Sequence, residues 1–200
     1  MKLDVPFYIN DGNECGQISL RMVLEYFGKK ISTEEISQRA FAERTGMAWG
    51  IGLAKAAHEL GFRTNFYSTN ITSEIDMLLK NEFYKKHISA NTSNTLYKII
   101  SYCKQNKIPL NQKPLSPEEL LSTVSQDSIP IVLLNWNLVK EKLGFTGYMV
   151  PVVGYDKNYV YVNQPGPAEP MQFYPIRRGV FQAARESDGT DQNVIVVYRK

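Results

Sequence analysis

One of the two cysteines, Cys15, lies where a polar loop meets the predicted first helix of the chain. The loop begins at Asn10 and ends at Glu14, and apolar residues then recur with helical spacing as far as Phe27. Backbone N–H groups and the positive end of the helix dipole stabilise a thiolate at such a position and lower its pKa. The position suits attack by sulfur on a substrate carbonyl, although composition alone favours a structural role. The structural alternative is a small apolar residue that begins a helix.

The other thiol and both histidines are predicted to have structural roles. Cys103 lies mid-helix on an apolar face, which is typical of a core residue. His58 falls inside a predicted helix and His87 at a solvated helix end, so neither is expected beside Cys15 as the base that a nucleophilic thiol needs. Isolated histidines and distant cysteines have no ligand spacing, so we expect no metal. The glycines lack a dinucleotide-binding pattern, so we expect no nucleotide cofactor.

The predicted elements that must position Cys15 are mostly helices in the first half of the chain and mostly strands in the second. Helices are predicted over residues 15–27, 53–60 and, in two pieces, 73–106, as well as after the N-caps Ser32 and Ser116 and near Phe181. Strands are predicted over residues 63–67, 129–136, 148–154, 159–163 and 193–198, with a hairpin turn at 156–158. A helix-rich first half followed by strands predicts an α+β fold, with an antiparallel sheet built from the strands after Ser128.

Composition excludes several classes of protein. The chain has 200 residues, enough for one domain with a real core, and 43% of them are hydrophobic and 22% charged. Its net charge is +3 and its basic residues occur in runs no longer than a pair, so we expect no nucleic-acid-binding stripe. No apolar run approaches the ~18 residues of a membrane span, and the N-terminal residues do not resemble a signal peptide. We therefore expect a soluble, cytoplasmic protein.

Three segments resemble the bacteriocin-processing cysteine peptidases and their standalone relatives, papain-like domains that cut leader peptides after a double glycine. The first joins Glu14-Cys15-Gly16 to an apolar helix that ends in an aromatic pair and Gly28. The second is the glycine-led stretch 50–62, and the third is a hairpin made by 147–156 and 160–166. The resemblance implies a papain-like fold over residues 1–200, with N-terminal helices packed on a C-terminal antiparallel sheet. Residues 70–128 match poorly and are expected to form a helical insertion.

Carried over residue by residue, the resemblance implies a changed active site. Cys15 matches the nucleophile, whereas Tyr148 stands at the position of the catalytic histidine and Gln164 at that of the aspartate. Asn10 is the amide nearest to the place of the glutamine that completes the oxyanion hole. A phenol with a pKa of about 10 is a poor base for a thiol, and an amide cannot stabilise an imidazolium as a carboxylate does. Ordinary papain-like proteolysis is therefore not expected.

The residues leave three hypotheses open. The favoured one is a degenerate peptidase domain that keeps Cys15 and binds an extended peptide or protein partner in the former active-site cleft. The second is a thiol-dependent hydrolase or acyltransferase with altered chemistry, and the third is an unrelated α+β domain with a chance match. The first two require Cys15 to lie close to Tyr148, with Gln164 behind it. We also expect Trp136, or Asn135 and Asn137 beside it, near the cleft.

Overall fold

The computed structural model describes residues 2–72, 80–167 and 169–200, so the start of the helix predicted from residue 73 lies outside the described residues. Helices and strands follow the predicted order closely. The helices are α1 (Cys15–Tyr26), α2 (Thr33–Ala40), α3 (Gly50–Glu59), α4 (Glu82–Lys85), α5 (Thr92–Gln105), α6 (Pro117–Ser122), α7 (Trp136–Val139) and α8 (Arg178–Glu186). The strands are β1 (Arg63–Tyr67), β2 (Leu110–Asn111), β3 (Ser128–Asn135), β4 (Gly147–Tyr155), β5 (Tyr159–Gln164), β6 (Met171–Arg177) and β7 (Val194–Tyr198).

The described strands form one sheet in the order β2-β1-β7-β3-β4-β5-β6. β1 and β2 are parallel, and the other neighbouring pairs are antiparallel. The α+β class and the antiparallel C-terminal strands are therefore confirmed. The sheet is not limited to strands after Ser128, however, because β1 pairs with β7 from Arg63 against Tyr198 to Tyr67 against Val194. A strand from the helix-rich half thus lies inside the sheet.

Two strands and two boundaries differ from the predictions. β6 is a half-exposed edge strand that contains a proline, and β2 has a length of 2 residues, so neither shows a clear apolar alternation. α3 begins at Gly50 because Trp49 is still extended, with ψ of 142°. β3 ends at Asn135, and Trp136 starts a short helix instead of continuing the strand. The assignment of residues 70–128 as an insertion in a single domain stays a prediction.

Local signals set several helix ends where the sequence indicates them. The Ser32 side chain accepts a hydrogen bond from the Glu35 backbone N–H at 3.1 Å, and Ser116 forms a reciprocal capping box with Glu119. Gly28 follows α1 with φ of +90°, a conformation that glycine adopts without strain. These contacts satisfy or redirect backbone groups that a helix end leaves without intrahelical partners.

Helix α1 is fixed between α3 and β4. The Ser19 hydroxyl donates to the Met149 carbonyl of β4 at 2.8 Å, in the buried interior. A Cβ placed on Gly16 would lie 2.8 Å from Leu53 Cδ1 of α3, so a side chain at this position would require the buried Leu53 side chain to move. Because Cys15 precedes Gly16 in the chain, the same packing holds Cys15 at the sheet.

Candidate functional site

A cavity of about 210 Å³ opens beside the N-terminal end of α1. Its lining comes from α1, the start of β4, the N-terminal end of α3, the segment around α4 and the loop before β7. One part of the lining, which we call the Cys15 wall, consists of Asn10, Gly12, Cys15, Gly16, Tyr148 and Met149. Another part, which we call the aromatic wall, consists of Trp49, Phe66, Phe83, Tyr84 and Asp191. Elements distant in sequence therefore meet at one cavity.

The Cys15 sulfur lies against the first strand of the hairpin. The Met149 backbone N–H donates to Sγ at 3.5 Å, which is a weak hydrogen bond to sulfur. Burial raises the pKa of the Cys15 thiol above its ordinary value, and the backbone N–H groups of Met149 and Gly16 oppose this rise without overcoming it. The prediction that the helix start lowers this pKa is therefore wrong in direction. At neutral pH Cys15 is a protonated thiol, which is a weak nucleophile.

Tyr148 lies beside Cys15. Its Cα is within about 6 Å of Sγ, because the peptide nitrogen of the next residue makes the 3.5 Å contact. The phenol ring stacks on the indole of Trp136, with ring centroids 5.5 Å apart and an interplanar angle of 23°. Trp136 also contacts the ring of Tyr174 at a centroid distance of 5.2 Å. The predicted proximity of Trp136 to the cleft is confirmed, since it packs on a residue of the Cys15 wall.

The two amides singled out by the sequence take different positions. Asn10 is buried in the cavity lining, where its Nδ2 donates to the Gly12 carbonyl (2.9 Å) and its Oδ1 accepts from the Gly12 N–H (3.1 Å). Gln164 is fully buried at the end of β5, and its Oε1 accepts a hydrogen bond from the Gly166 N–H. Gly166 itself lines the cavity, so Gln164 lies behind the lining. Roles for Asn10 and Gln164 in chemistry stay predictions.

The aromatic wall is held by ring contacts and by hydrogen bonds to fixed groups. The Trp49 indole N–H donates to Glu43 Oε1 at 3.1 Å, and the Trp49 ring stacks on Tyr84 with centroids 5.6 Å apart. The Tyr84 hydroxyl donates to the Gly189 carbonyl at 2.5 Å. Phe83 precedes Tyr84 in the same short helix, α4. The orientation of this wall is therefore set by groups that lie far apart in the sequence.

His87 is a candidate site residue that the sequence patterns missed. It is half-buried in the cavity lining, with Nδ1 2.9 Å from the Thr45 hydroxyl. Burial, followed by the charge of Lys86, lowers the pKa of this imidazole, so it is neutral at pH 7. The predicted helix end is confirmed, since His87 follows α4, but the side chain is half-buried at the cavity and not fully solvated. His58, by contrast, places Nδ1 3.1 Å from the Tyr102 hydroxyl, a contact between α3 and α5.

The second thiol differs from Cys15 in its surroundings. Cys103 is fully buried on α5, and burial raises its pKa to about 12. Its predicted place in the core is therefore confirmed. Cys103 supplies an internal reference for any measurement of Cys15 reactivity, because both thiols are present in the same chain.

Within residues 2–72, 80–167 and 169–200, no group of three or more His, Cys, Asp or Glu is placed to hold a metal ion. In the same ranges, no helix combines the length and apolar character needed to cross a membrane. A cytoplasmic location stays a prediction.

Known proteins resemble this chain both in sequence and in structure. The sequence model of a family described as guanylylate cyclase matches residues 10–197. A double glycine motif protease from an AMS/PCAT transporter, solved in complex with the leader peptide, aligns with a TM-score of 0.58 and 18% identity, over 100% of this chain and 94% of that chain. The peptidase domain of Streptococcus ComA, a bi-functional ABC transporter involved in a quorum sensing pathway, aligns with a TM-score of 0.53 and 13% identity. A protein described as C39-like peptidase from Bacillus anthracis aligns with a TM-score of 0.57 and 13% identity, and both of these alignments cover 100% of this chain and 98% of the other.

These likenesses establish the fold. The papain-like α+β class is confirmed. The family found by sequence is not the bacteriocin-processing family that the motifs resemble, although the two share this fold. At identities of 13% to 18%, the solved structures show the fold of this chain but not its activity.

Proposed function

The chain belongs to the guanylylate cyclase family, and we propose that it is a degenerate papain-like peptidase domain that binds an extended peptide without cutting it. The peptide lies between the Cys15 wall and the aromatic wall. One observation carries this proposal: a largely apolar cavity of about 210 Å³ adjoins a thiol with a raised pKa, and Tyr148 is its neighbour on β4. Such a site keeps the surface of a peptidase cleft without an activated nucleophile.

The lining suits a peptide in extended form. Extended peptides bind through main-chain hydrogen bonds along strands, while pockets take alternate side chains. The start of β4 and the loop at Gly166 bring backbone to the cavity, and the aromatic wall supplies apolar surface. A protease of similar fold was solved in complex with a leader peptide, which supports a peptide as the class of ligand.

The family description indicates a guanine nucleotide as an alternative ligand. A nucleoside triphosphate carries several negative charges, and proteins bind it with arginine, lysine and metal ions. Within the part of the chain that the structure describes, the lining contains one acidic side chain, Asp191, and neither lysine nor arginine. The described lining therefore offers a triphosphate no basic side chain, and its carboxylate favours a basic ligand.

The second candidate function is a Cys15-dependent hydrolase or acyltransferase, and His87 is the observation that favours it. A neutral imidazole lines the same cavity as the thiol. In this mechanism His87 accepts the proton of Cys15 as the sulfur attacks a substrate carbonyl, and Tyr148 holds the substrate. The C–N or C–O bond then breaks, the leaving amine or alcohol takes that proton, and water or an acceptor amine releases the acyl group from the sulfur. Movement of α4 would have to bring the imidazole to the sulfur.

The test measures peptide binding, hydrolysis and cyclase activity on the same preparation. The binding probe is a positional-scanning library of acetylated, amidated heptapeptides carrying fluorescein, read by polarisation. Thr146, which lines the cavity, is replaced by tryptophan to fill it, and Leu143, which is 98% exposed in the same loop, is replaced by tryptophan as the matched control. We expect Thr146→Trp to weaken peptide binding by about tenfold or more, and Leu143→Trp to leave it unchanged.

Three other outcomes would overturn the proposal. Peptide cleavage that Cys15→Ser abolishes would establish the second candidate function. Cyclic GMP formed from GTP with Mg²⁺ or Mn²⁺, and lost in Thr146→Trp, would make the cavity a nucleotide site. Equal peptide binding by wild type and Thr146→Trp would place the peptide outside the cavity.

A further inference from the structure

Asp191 is a partly buried acid without a partner among the described residues. Its carboxylate receives no hydrogen bond and forms no ion pair within those ranges, whereas its backbone carbonyl accepts from the Thr69 N–H at 2.8 Å and from the Ser68 hydroxyl at 3.2 Å. Burial raises the pKa of the Asp191 carboxyl. Burying a carboxylate without a partner is unfavourable, so the fold holds an uncompensated charge at the cavity.

The backbone that carries this carboxylate is also unusual. Asp191 and Gln192 have φ of 47° and 49°, in the left-handed region that non-glycine residues adopt at some cost. The fully buried Thr190 holds the turn, because its hydroxyl accepts from the Gln192 N–H at 3.2 Å and donates to the Arg185 carbonyl at 2.6 Å. The position of Asp191 in the lining is therefore set by a fixed turn rather than by a loose loop.

Aromatic rings share this part of the lining. Trp49 and Tyr84 stack with an interplanar angle of 29°. After burial, the charge of Asp191 is the next cause that raises the pKa of Tyr84, which places the carboxylate near the phenol. Phe66 and Phe83 complete the aromatic wall. Ring faces attract cations, and they also pack against the methylene stem of a lysine.

No cation of the described chain neutralises this acid. The described lining contains neither lysine nor arginine. His87 is the remaining basic group of the lining, and burial lowers its pKa, so it carries no charge at neutral pH. The missing positive charge must therefore come from a bound molecule if the carboxylate is to be paired.

We propose that Asp191, Trp49 and Tyr84 form a subsite for a primary ammonium on an alkyl stem, the chemistry of a lysine side chain. The carboxylate binds the ammonium and the rings pack on the methylenes. A volume of about 210 Å³ is several times the ~30 Å³ that one water molecule takes up, so the cavity has room for such a stem. The inference rests on the proposed function in one respect, because a bound peptide is what presents the lysine.

The test uses n-butylammonium, which reproduces the lysine side chain without a peptide. The readout is the indole N–H signal of Trp49 in two-dimensional NMR of ¹⁵N-labelled protein, assigned with Trp136→Phe because the chain has two tryptophans. We expect the signal to shift and saturate, with an affinity about tenfold weaker in Asp191→Asn. Asparagine adopts the left-handed backbone readily, so this variant keeps the turn. Asp188→Asn, an exposed change of equal charge in the same loop, should bind as wild type does.

1-Butanol is the neutral probe of matched size, and wild type and Asp191→Asn should bind it equally. Equal affinity of these two proteins for n-butylammonium would overturn the subsite, and so would an equal loss in Asp188→Asn. Tighter binding of methylguanidinium would overturn the assignment to lysine in favour of arginine. Because no peptide is present, failure here leaves the proposed function standing. Failure of the peptide library would likewise leave a measured ammonium site in place.

Discussion

The Cys15 wall and the aromatic wall differ in how their polar groups are satisfied. On the Cys15 wall, Asn10 bonds Gly12, and burial keeps the Cys15 thiol protonated. On the aromatic wall, the Asp191 carboxylate has no partner among the described residues and lies on a left-handed turn. The Asn10 amide of the Cys15 wall has partners within the fold, whereas the aromatic wall holds a charge that the described chain does not neutralise.

This difference bears on two separate properties of the cavity, the binding of a ligand and the reactivity of the thiol. A polar group satisfied inside the fold contributes to structure, whereas a buried charge held against its own desolvation is typical of a place where a ligand binds. The thiol would need a lower pKa and a base in contact with it to react. Under the proposed function, the cavity therefore recognises a molecule through the aromatic wall while the Cys15 wall stays unreactive. Changes to either wall test this contrast.

Rebuilding a base on the Cys15 wall should have the largest effect. In the double variant Tyr148→His with Gln164→Asp, an imidazole next to the sulfur would convert the Cys15 thiol into a thiolate. We expect alkylation of Cys15 by iodoacetamide at pH 6.5 to become about 100-fold faster than in wild type. Intact-mass kinetics followed by peptide mapping measures the rate at each thiol.

Cys103 in the same chain is the internal reference for that experiment, because burial raises its pKa to about 12. A wild-type rate equal to that of the double variant would show that the Cys15 wall is already reactive and would favour the second candidate function. If Cys15 reacts no faster than Cys103 in either protein, the placement of Tyr148 and Gln164 at the histidine and aspartate positions is wrong.

Crowding the Cys15 wall should have an intermediate effect. Gly16→Ala places a Cβ 2.8 Å from Leu53 Cδ1, so we expect about 2 kcal/mol of destabilisation in urea unfolding. Gly12→Ala is the matched control on the same wall, because a Cβ there has no atom within 4 Å. In the double variant Gly16→Ala with Leu53→Ala, the shorter side chain at position 53 should remove the clash but leave a cavity. The changes in the free energy of unfolding caused by the two substitutions should therefore not be additive. Equal stability of the two glycine variants would contradict the packing of α1.

Removing the charge of Asp191 from the aromatic wall should have the smallest effect on the stability of the fold. Unlike the crowding of Gly16, this change should stabilise the protein. Because burial raises the pKa of Asp191 in the folded chain, the folded state holds the proton more tightly, and ionisation destabilises it as pH rises through that pKa. Asp191→Asn should therefore raise the melting temperature at pH 7.5. The gain should vanish below the pKa of an aspartate in the unfolded chain, about 3.9.

Asp188→Asn again controls for net charge in this measurement, since Asp188 is exposed. A lower melting temperature of Asp191→Asn at pH 7.5 would show that the carboxylate stabilises the fold, and it would remove the argument that its charge is uncompensated. Scanning calorimetry at pH 7.5 and pH 3 measures both limits.

Features that depend on neighbours in the chain followed from the sequence. The caps at Ser32 and Ser116 use groups three residues apart, and the hairpin turn uses Asp156, whose Oδ1 accepts from the N–H groups of Asn158 and Tyr159 at 2.8 Å. Helical periodicity predicted α1 and the burial of Cys103. Strands β2 and β6 escaped prediction because one is very short and the other is a half-exposed edge strand.

The sequence by itself determined that Cys15 begins a helix and that the hairpin carries Tyr148, and these motifs sufficed to indicate the fold. Tertiary structure alone decided the direction of the Cys15 pKa, because that direction follows from burial by distant residues. It also decided that His87 and Asp191 line the same cavity, although they are far apart in the chain. Neither residue has a local signal for this role, since pairing of β1 with β7 and packing of α4 bring them together.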